Sequence, residues 1–218
     1  QGFVGTVAKL ALGTSDVDAL KATAFPGTGR TVEEELTHNI ATIGENMTFR
    51  RAASLSVGDG VVVPYMHNAA AAGLGKIGVL VAIESTGDKD KLADIAKQIA
   101  LHVAAANPQS LSTDDLDQSL VERERTVLID QAKASGKSQE IAEKMVEGRM
   151  RKFYQEVVLL EQTSMVDGET QIRKVLENAA KDLGAPVTLT GFVRFQLGEG
   201  IEKEESDFAA EVAATLKH

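Results

Sequence analysis

Gly73-Leu74-Gly75-Lys76-Ile77-Gly78-Val79-Leu80-Val81-Ala82-Ile83-Glu84-Ser85, followed after a polar break by Leu92-Ala93-Asp94-Ile95-Ala96-Lys97-Gln98-Ile99-Ala100-Leu101-His102-Val103-Ala104-Ala105-Ala106-Asn107-Pro108, is the stretch on which the fold turns. Its first half is a short apolar run, rich in β-branched residues and bounded by glycines, which predicts a strand buried on both faces. The second half changes period. Leu92, Ile95, Ile99 and Val103 recur at spacings of three and four, so one apolar stripe runs down a helix that Pro108 stops. That stripe has to lie back across the sheet, and the remaining segments are read as what is built around this layer.

Working outward toward the N-terminus, Val61 to His67 predicts a second strand. The polar, Gly/Ala-rich stretch from Asn68 to Gly75 makes the pair an antiparallel hairpin. Asn46 to Val57, where Arg50 and Arg51 interrupt apolar residues, reads as a half-exposed strand. Thr31 with Glu34 is the capping-box signature for a helix to about Ile43, after a loop containing Phe25-Pro26-Gly27-Thr28-Gly29. Phe3, Val4, Val7 and Leu10 predict a helix ending near Gly13. Because the chain opens at Gln1 inside this pattern, it reads as the remainder of something longer.

After Pro108 the chain turns charged and helical. Asp114 and Asp115 suit a helix N-terminus, and Leu116, Leu120, Val127 and Gln131 mark a face continuing to about Ala134. Ser135-Gly136-Lys137 breaks it, and Ala142, Val146, Met150, Phe153 and Val157 mark a second helix. A turn this short makes the two arms antiparallel, and each would reach on the order of 30 Å. A helix over 170–182, a strand over Val187–Leu197 and a terminal helix over about 204–216 complete the reading. A strand, glycine turn and apolar helix at 76–106 are faintly echoed at 187–216.

Composition narrows the function classes. With 218 residues and 43% apolar content the chain can bury a real core, and its formal charge of −9 repels a phosphate backbone, so nucleic acid is a poor partner. Cysteine and tryptophan are absent, which removes disulfides and thiolate metal sites. No run approaches a membrane span and no signal peptide opens the chain.

The local motifs do not assemble an active site. Gly73-x-Gly75-x-x-Gly78 has the letters of the dinucleotide fingerprint, but its glycines lead into a strand where the fingerprint needs a helix N-terminus. A hairpin turn is the better account. Gly136-Lys137-Ser138 lacks the glycine five residues earlier that a phosphate loop requires, Gln131 standing there instead. His38, His67, His102 and His218 are too far apart for ligand spacing. His102 reads as a partly buried, hydrogen-bonded residue, and His67 sits at a strand end where a contact role and a structural one are both open.

Several strings, taken together, resemble elongation factor Ts, the guanine-nucleotide exchange factor for elongation factor Tu. They are Ile43-Gly44-Glu45-Asn46, Lys76-Ile77-Gly78-Val79-Leu80-Val81, His102-Val103-Ala104-Ala105 with Pro108, Ile141-Ala142-Glu143-Lys144-Met145-Val146-Glu147-Gly148-Arg149-Met150 and Gly191-Phe192-Val193-Arg194-Phe195. The last continues through Gly198-Glu199-Gly200-Ile201-Glu202-Lys203 to Asp207-Phe208-Ala209-Ala210-Glu211-Val212. They follow the family's order and span almost the whole chain.

The resemblance implies an α+β fold of two subdomains, each an antiparallel sheet covered by helices, with an inserted helical hairpin and a C-terminal helix. Residues 1–57 would be the remainder of the first subdomain, 58–112 with 161–198 the second, 113–160 a coiled-coil or dimerisation hairpin, and 199–218 the C-terminal module. It implies a partner, elongation factor Tu, in a cytoplasmic setting, bacterial or in an organellar matrix, and assembly as a homodimer or heterotetramer. Contacts carry over onto Ile43, Gly44, His67, Met165, Val166, Asp207, Phe208 and Val212; Met165 and Val166 match in position and apolar character only, and Phe208 is open between contact and core packing. No cofactor, metal or catalytic residue is implied, since an exchange factor does no bond chemistry. The family's N-terminal helical domain, first core strand and Thr-Asp-Phe-Val motif would precede Gln1, so this chain is expected to exchange poorly alone. The alternatives are a structural or dimerising interaction module, and a nucleotide-dependent enzyme built on Gly73 to Gly78.

Overall fold

The computed structural model describes residues 1–136 and 138–201. It is a mixed α+β chain with a three-stranded antiparallel sheet in the order β1-β2-β3. Strand β1 (Gly60–Ala71) and β2 (Leu74–Glu84) form a hairpin, and β3 (Thr188–Gln196) pairs with the other side of β2. The hairpin is tighter than its sequence predicts. Both strands run to the turn at Ala72-Gly73, where Gly73 adopts φ 71°, a conformation that costs a β-carbon-bearing residue strain. The fingerprint glycines thus belong to the hairpin: Gly75 pairs opposite Ala69 and Gly78 opposite Met66.

Helix α4 (Lys89–Ala106) follows β2 directly and returns across the sheet as expected. Asp88 caps its start by accepting from the Asp90 and Lys91 amides, and Asn107 ends it in the left-handed region before Pro108. The inner faces of β2 (Val79, Val81, Ile83) and α4 (Leu92, Ala96, Ile99, Val103) share one core with Leu159 and with Ile172 and Leu176. Ile172 and Leu176 lie on helix α7 (Ile172–Leu183), which therefore belongs to this same layer. Each fully buried Leu, Ile or Val side chain there is worth about 1.5–3 kcal/mol of transfer free energy.

A second set of helices stands N-terminal to the sheet: α1 (Gly2–Leu10), the short α2 (Val17–Ala22) and α3 (Val32–Ile43). Leu20 and Val32 are its fully buried residues, and Phe3 stacks on Phe25 at 5.5 Å between ring centroids. The capping box at α3 is formed as expected. Thr31 Oγ1 accepts from the Glu34 amide while the Glu34 carboxylate accepts from the Thr31 amide.

The strand expected at Asn46 to Val57 is not formed. The segment has no regular secondary structure although its burial alternates, and without a ladder partner it cannot satisfy its amides by strand pairing. It runs instead against β3, where Arg51 lies 4.6 Å from the centre of the Phe195 ring, and against the turn after it, where Arg50 donates to the Glu199 carbonyl at 2.6 Å.

Helices α5 (Gln118–Ala134) and α6 (Gln139–Val157) pack against each other through a short turn, with Leu128, Ala132 and Met150 buried. The start of α5 differs from expectation. Asp117, not Asp114 or Asp115, is the cap, and it accepts from the Ser119 amide. Asp115 belongs to the preceding turn, accepting from the Leu111 and Ser112 amides; burial works to raise its pKa, but these bonds and that from the Ser112 hydroxyl outweigh it and lower it. The terminal helix expected over 204–216, and with it the second half of the 187–216 echo, lies outside the described residues. Among those residues no helix is long and apolar enough to cross a membrane.

Candidate partner-binding surface

Large apolar side chains that a fold leaves in water are the first candidates for a docking surface. Ile43 is 57% exposed at the last position of α3. Gly44 follows as the left-handed C-cap at φ 79°, with nothing within 4 Å of where a β-carbon would stand, so backbone can approach closely there. Met165 and Val166 are 57% and 55% exposed although they sit in a tightly bonded turn. Thr163 pairs with Gln171 across that turn, the Ser164 amide donates to the Thr170 carbonyl at 2.7 Å, and the Val166 amide donates to Ser164 Oγ. Asp167 Oδ1 accepts from the Glu169 and Thr170 amides, and Thr170, through side chain and backbone, together with Glu169 holds that carboxyl below its usual range.

His67 is exposed on β1, and its Nδ1 lies 3.2 Å from the Tyr65 hydroxyl. Tyr65 lines a shallow groove with Asp94, Lys97, Gln98 and Leu101 of α4. The next residue on α4, His102, accepts the Met165 amide on Nδ1 at 3.3 Å. His67 and the 165–166 turn are thereby both tied to the C-terminal half of α4. Ile43 and Gly44 are not part of that group: among the described residues α3 shares extensive contact with α2 alone. Asp207, Phe208 and Val212 lie outside the described residues.

The sequence reading missed Tyr65 and Leu101, and it underestimated His102. His102 is 2% exposed, its Nε2 lies 2.9 Å from Gln162 Oε1, and burial depresses its pKa against the opposing effect of that contact. The signal in sequence was only its place one position from the apolar stripe. Gln162, 4% exposed, carried none.

Comparison with known proteins decides the family. The family model described as elongation factor TS matches residues 1–199. Elongation factor Ts of Rhodospirillum centenum is 66% identical over 215 residues, 98% of this chain and 70% of that protein. The chain belongs to the elongation factor Ts family. The Rhodospirillum rubrum member is 64% identical over 100% of this chain and 71% of that protein, and the Bartonella henselae member 55% identical over 100% and 71%. Membership makes this a translation elongation factor, part of the machinery of protein biosynthesis.

Proposed function

We propose that this chain binds elongation factor Tu and promotes release of its GDP by stabilising the nucleotide-free GTPase. The observation that carries this reading is the family match over residues 1–199, together with 66% identity over 215 residues to a protein named elongation factor Ts. The chemistry required is binding alone. A protein that prefers the empty form of a GTPase weakens nucleotide, and linkage makes nucleotide weaken the protein in equal measure. Each tenfold loss of nucleotide affinity corresponds to about 1.4 kcal/mol of coupling, which a few central apolar anchors worth about 2 kcal/mol each can supply.

Ile43, Gly44, Met165 and Val166 suit that role because they are apolar or small, accessible, and held on capped or tightly bonded backbone. His67 offers a polar contact beside Tyr65. Asp207, Phe208 and Val212 are carried by the family resemblance. In the same reading 58–112 and 161–198 act as one subdomain, 1–57 as part of another, 113–160 as a dimerisation hairpin and 199–218 as a C-terminal module.

Release of a fluorescent GDP analogue from elongation factor Tu, with and without this chain, tests the proposal. Binding to nucleotide-free elongation factor Tu and a modest acceleration, each reduced by Met165→Ala and by Ile43→Ala, are expected. No acceleration together with no binding to nucleotide-free elongation factor Tu would overturn it. A second reading, a self-associating module, draws on the exposure of Val127 and Ile141 on the hairpin, 45% and 49%. Light scattering on the purified chain separates the two: a dimer lost on Val127→Glu, with no elongation factor Tu binding, would favour the second.

A further inference from the structure

We propose that His102, held as its Nε2–H tautomer, is a positioning residue that fixes the Met165–Val166 turn to the base of the helical hairpin. The tautomer follows from the network. Gln162 Nε2 donates to the Glu156 carbonyl at 2.7 Å, so the carboxamide can turn only its oxygen toward the imidazole. His102 must then donate from Nε2, which leaves Nδ1 as the lone-pair acceptor for the Met165 amide at 3.3 Å. One orientation satisfies every donor and acceptor in the chain of bonds.

The ring joins three pieces that no other described hydrogen bond joins: α4, which carries it; the last turn of α6, reached through Gln162 and Glu156; and the turn that exposes Met165 and Val166. No charged group takes part. On α4 the positions one turn from His102 are Gln98, Ile99, Ala105 and Ala106. Glu161 is engaged by Arg173 and Asp167 by the Glu169 and Thr170 amides, and Glu156 enters the network through its backbone carbonyl. An ordinary core residue of this volume would fill the space but leave the part-buried Met165 amide without its acceptor. His102 therefore does more than pack.

Its bearing on partner binding rests on the proposal above that this turn meets the GTPase; the tautomer and the turn's anchoring do not. The test uses two substitutions that each keep half of the imidazole. Asparagine places its side-chain oxygen where Nδ1 stands, and glutamine places its amide where Nε2 stands. In nitrogen-15 spectra of the unsubstituted chain the His102 ring should report a protonated Nε2 and an acceptor Nδ1. The Met165 amide should stay protected from hydrogen exchange in His102→Asn and lose about tenfold or more of its protection in His102→Gln. Binding to nucleotide-free elongation factor Tu should weaken about fivefold or more in His102→Gln and hold in His102→Asn. A protonated Nδ1, or equal Met165 protection in the two variants, overturns the anchoring. Unequal protection with equal binding overturns its part in recognition. Absence of binding by the unsubstituted chain removes the proposed function and that part with it, while the spectra still decide the anchoring.

Discussion

Helices α3 and α7 share a frame and are buried differently. Each follows a short glycine-containing turn closed by an antiparallel bridge, Ala24 with Thr31 in one and Thr163 with Gln171 in the other. Each begins with an amide donated back across that bridge, Val32 to the Thr23 carbonyl at 2.9 Å and Ile172 to the Gln162 carbonyl at 3.0 Å. Each runs for 12 residues, buries its first one, and stops at a left-handed glycine, Gly44 or Gly184. Beyond the first turn they diverge. On α7 Leu176 and Ala179 are 7% and 6% exposed, and Leu183 packs beside Gly87, because the layer of β2 and α4 lies beneath them. On α3 the corresponding Leu36 is half-buried, Asn39 replaces the small residue, and Ile43 stands in water. The same bridge and the same terminating glycine thus frame a core helix in one place and, where none of the described strands lies beneath it, a helix whose apolar tip stays in water.

The largest expected effect would break this contrast outright. Leu176→Ala should cost about 2–5 kcal/mol in urea unfolding, and Leu36→Ala well under half of its partner's value. Equal losses would mean that α3 is as well packed as α7. Next come the terminating glycines, where the comparison predicts equality: Gly44→Ala and Gly184→Ala should each cost about 1–2 kcal/mol, since both hold positive φ with open space around them. A marked difference in thermal midpoint would show that the two helix ends are not the same device. Smaller again is the cap. Thr31→Ala should remove about 1 kcal/mol, while Gln171→Ala, at a position with no side-chain cap bond, should change stability by a few tenths.

Acid sharpens the contrast from the α7 side. His102 has a lowered pKa in the folded chain, so the unfolded state binds the extra proton more readily. Stability should therefore be indifferent to this group above about pH 6.5 and fall as pH drops from there toward the depressed folded value. Urea midpoints measured across that range should show the fall in the unsubstituted chain and lose it in His102→Asn. Last, Ile43→Ala should leave stability within about 0.5 kcal/mol while reducing elongation factor Tu binding, the signature of an apolar residue that supports a partner and not a core.

Much of this was legible in advance, for identifiable reasons. The α4 stripe, the hairpin, the capping box at Thr31 and the paired helices are local patterns, written by residues a few positions apart. The segment from Asn46 to Val57 shows the opposite case. Its alternation is strand-like and survives as alternating burial, yet a strand is a relation between two segments, and none of the described strands pairs with it. Asp115 was misplaced for a similar reason, since an acid before an apolar run can cap either the helix or the turn preceding it. The likeness of the α3 and α7 units went unread because it resides in bridge geometry and helix length more than in shared letters.

Sequence alone determined the α4 stripe, the β1–β2 hairpin, the capping box of α3 and the paired helices α5 and α6, that the chain resembles elongation factor Ts, and which apolar residues were candidates for contact. Tertiary structure alone decided which of those apolar residues stay in water and that His102, Gln162 and the Met165 amide form one network. The reason is range: periodicity and capping act within a turn or two of chain, whereas exposure and a buried hydrogen bond depend on segments some 60 positions apart arriving at the same place.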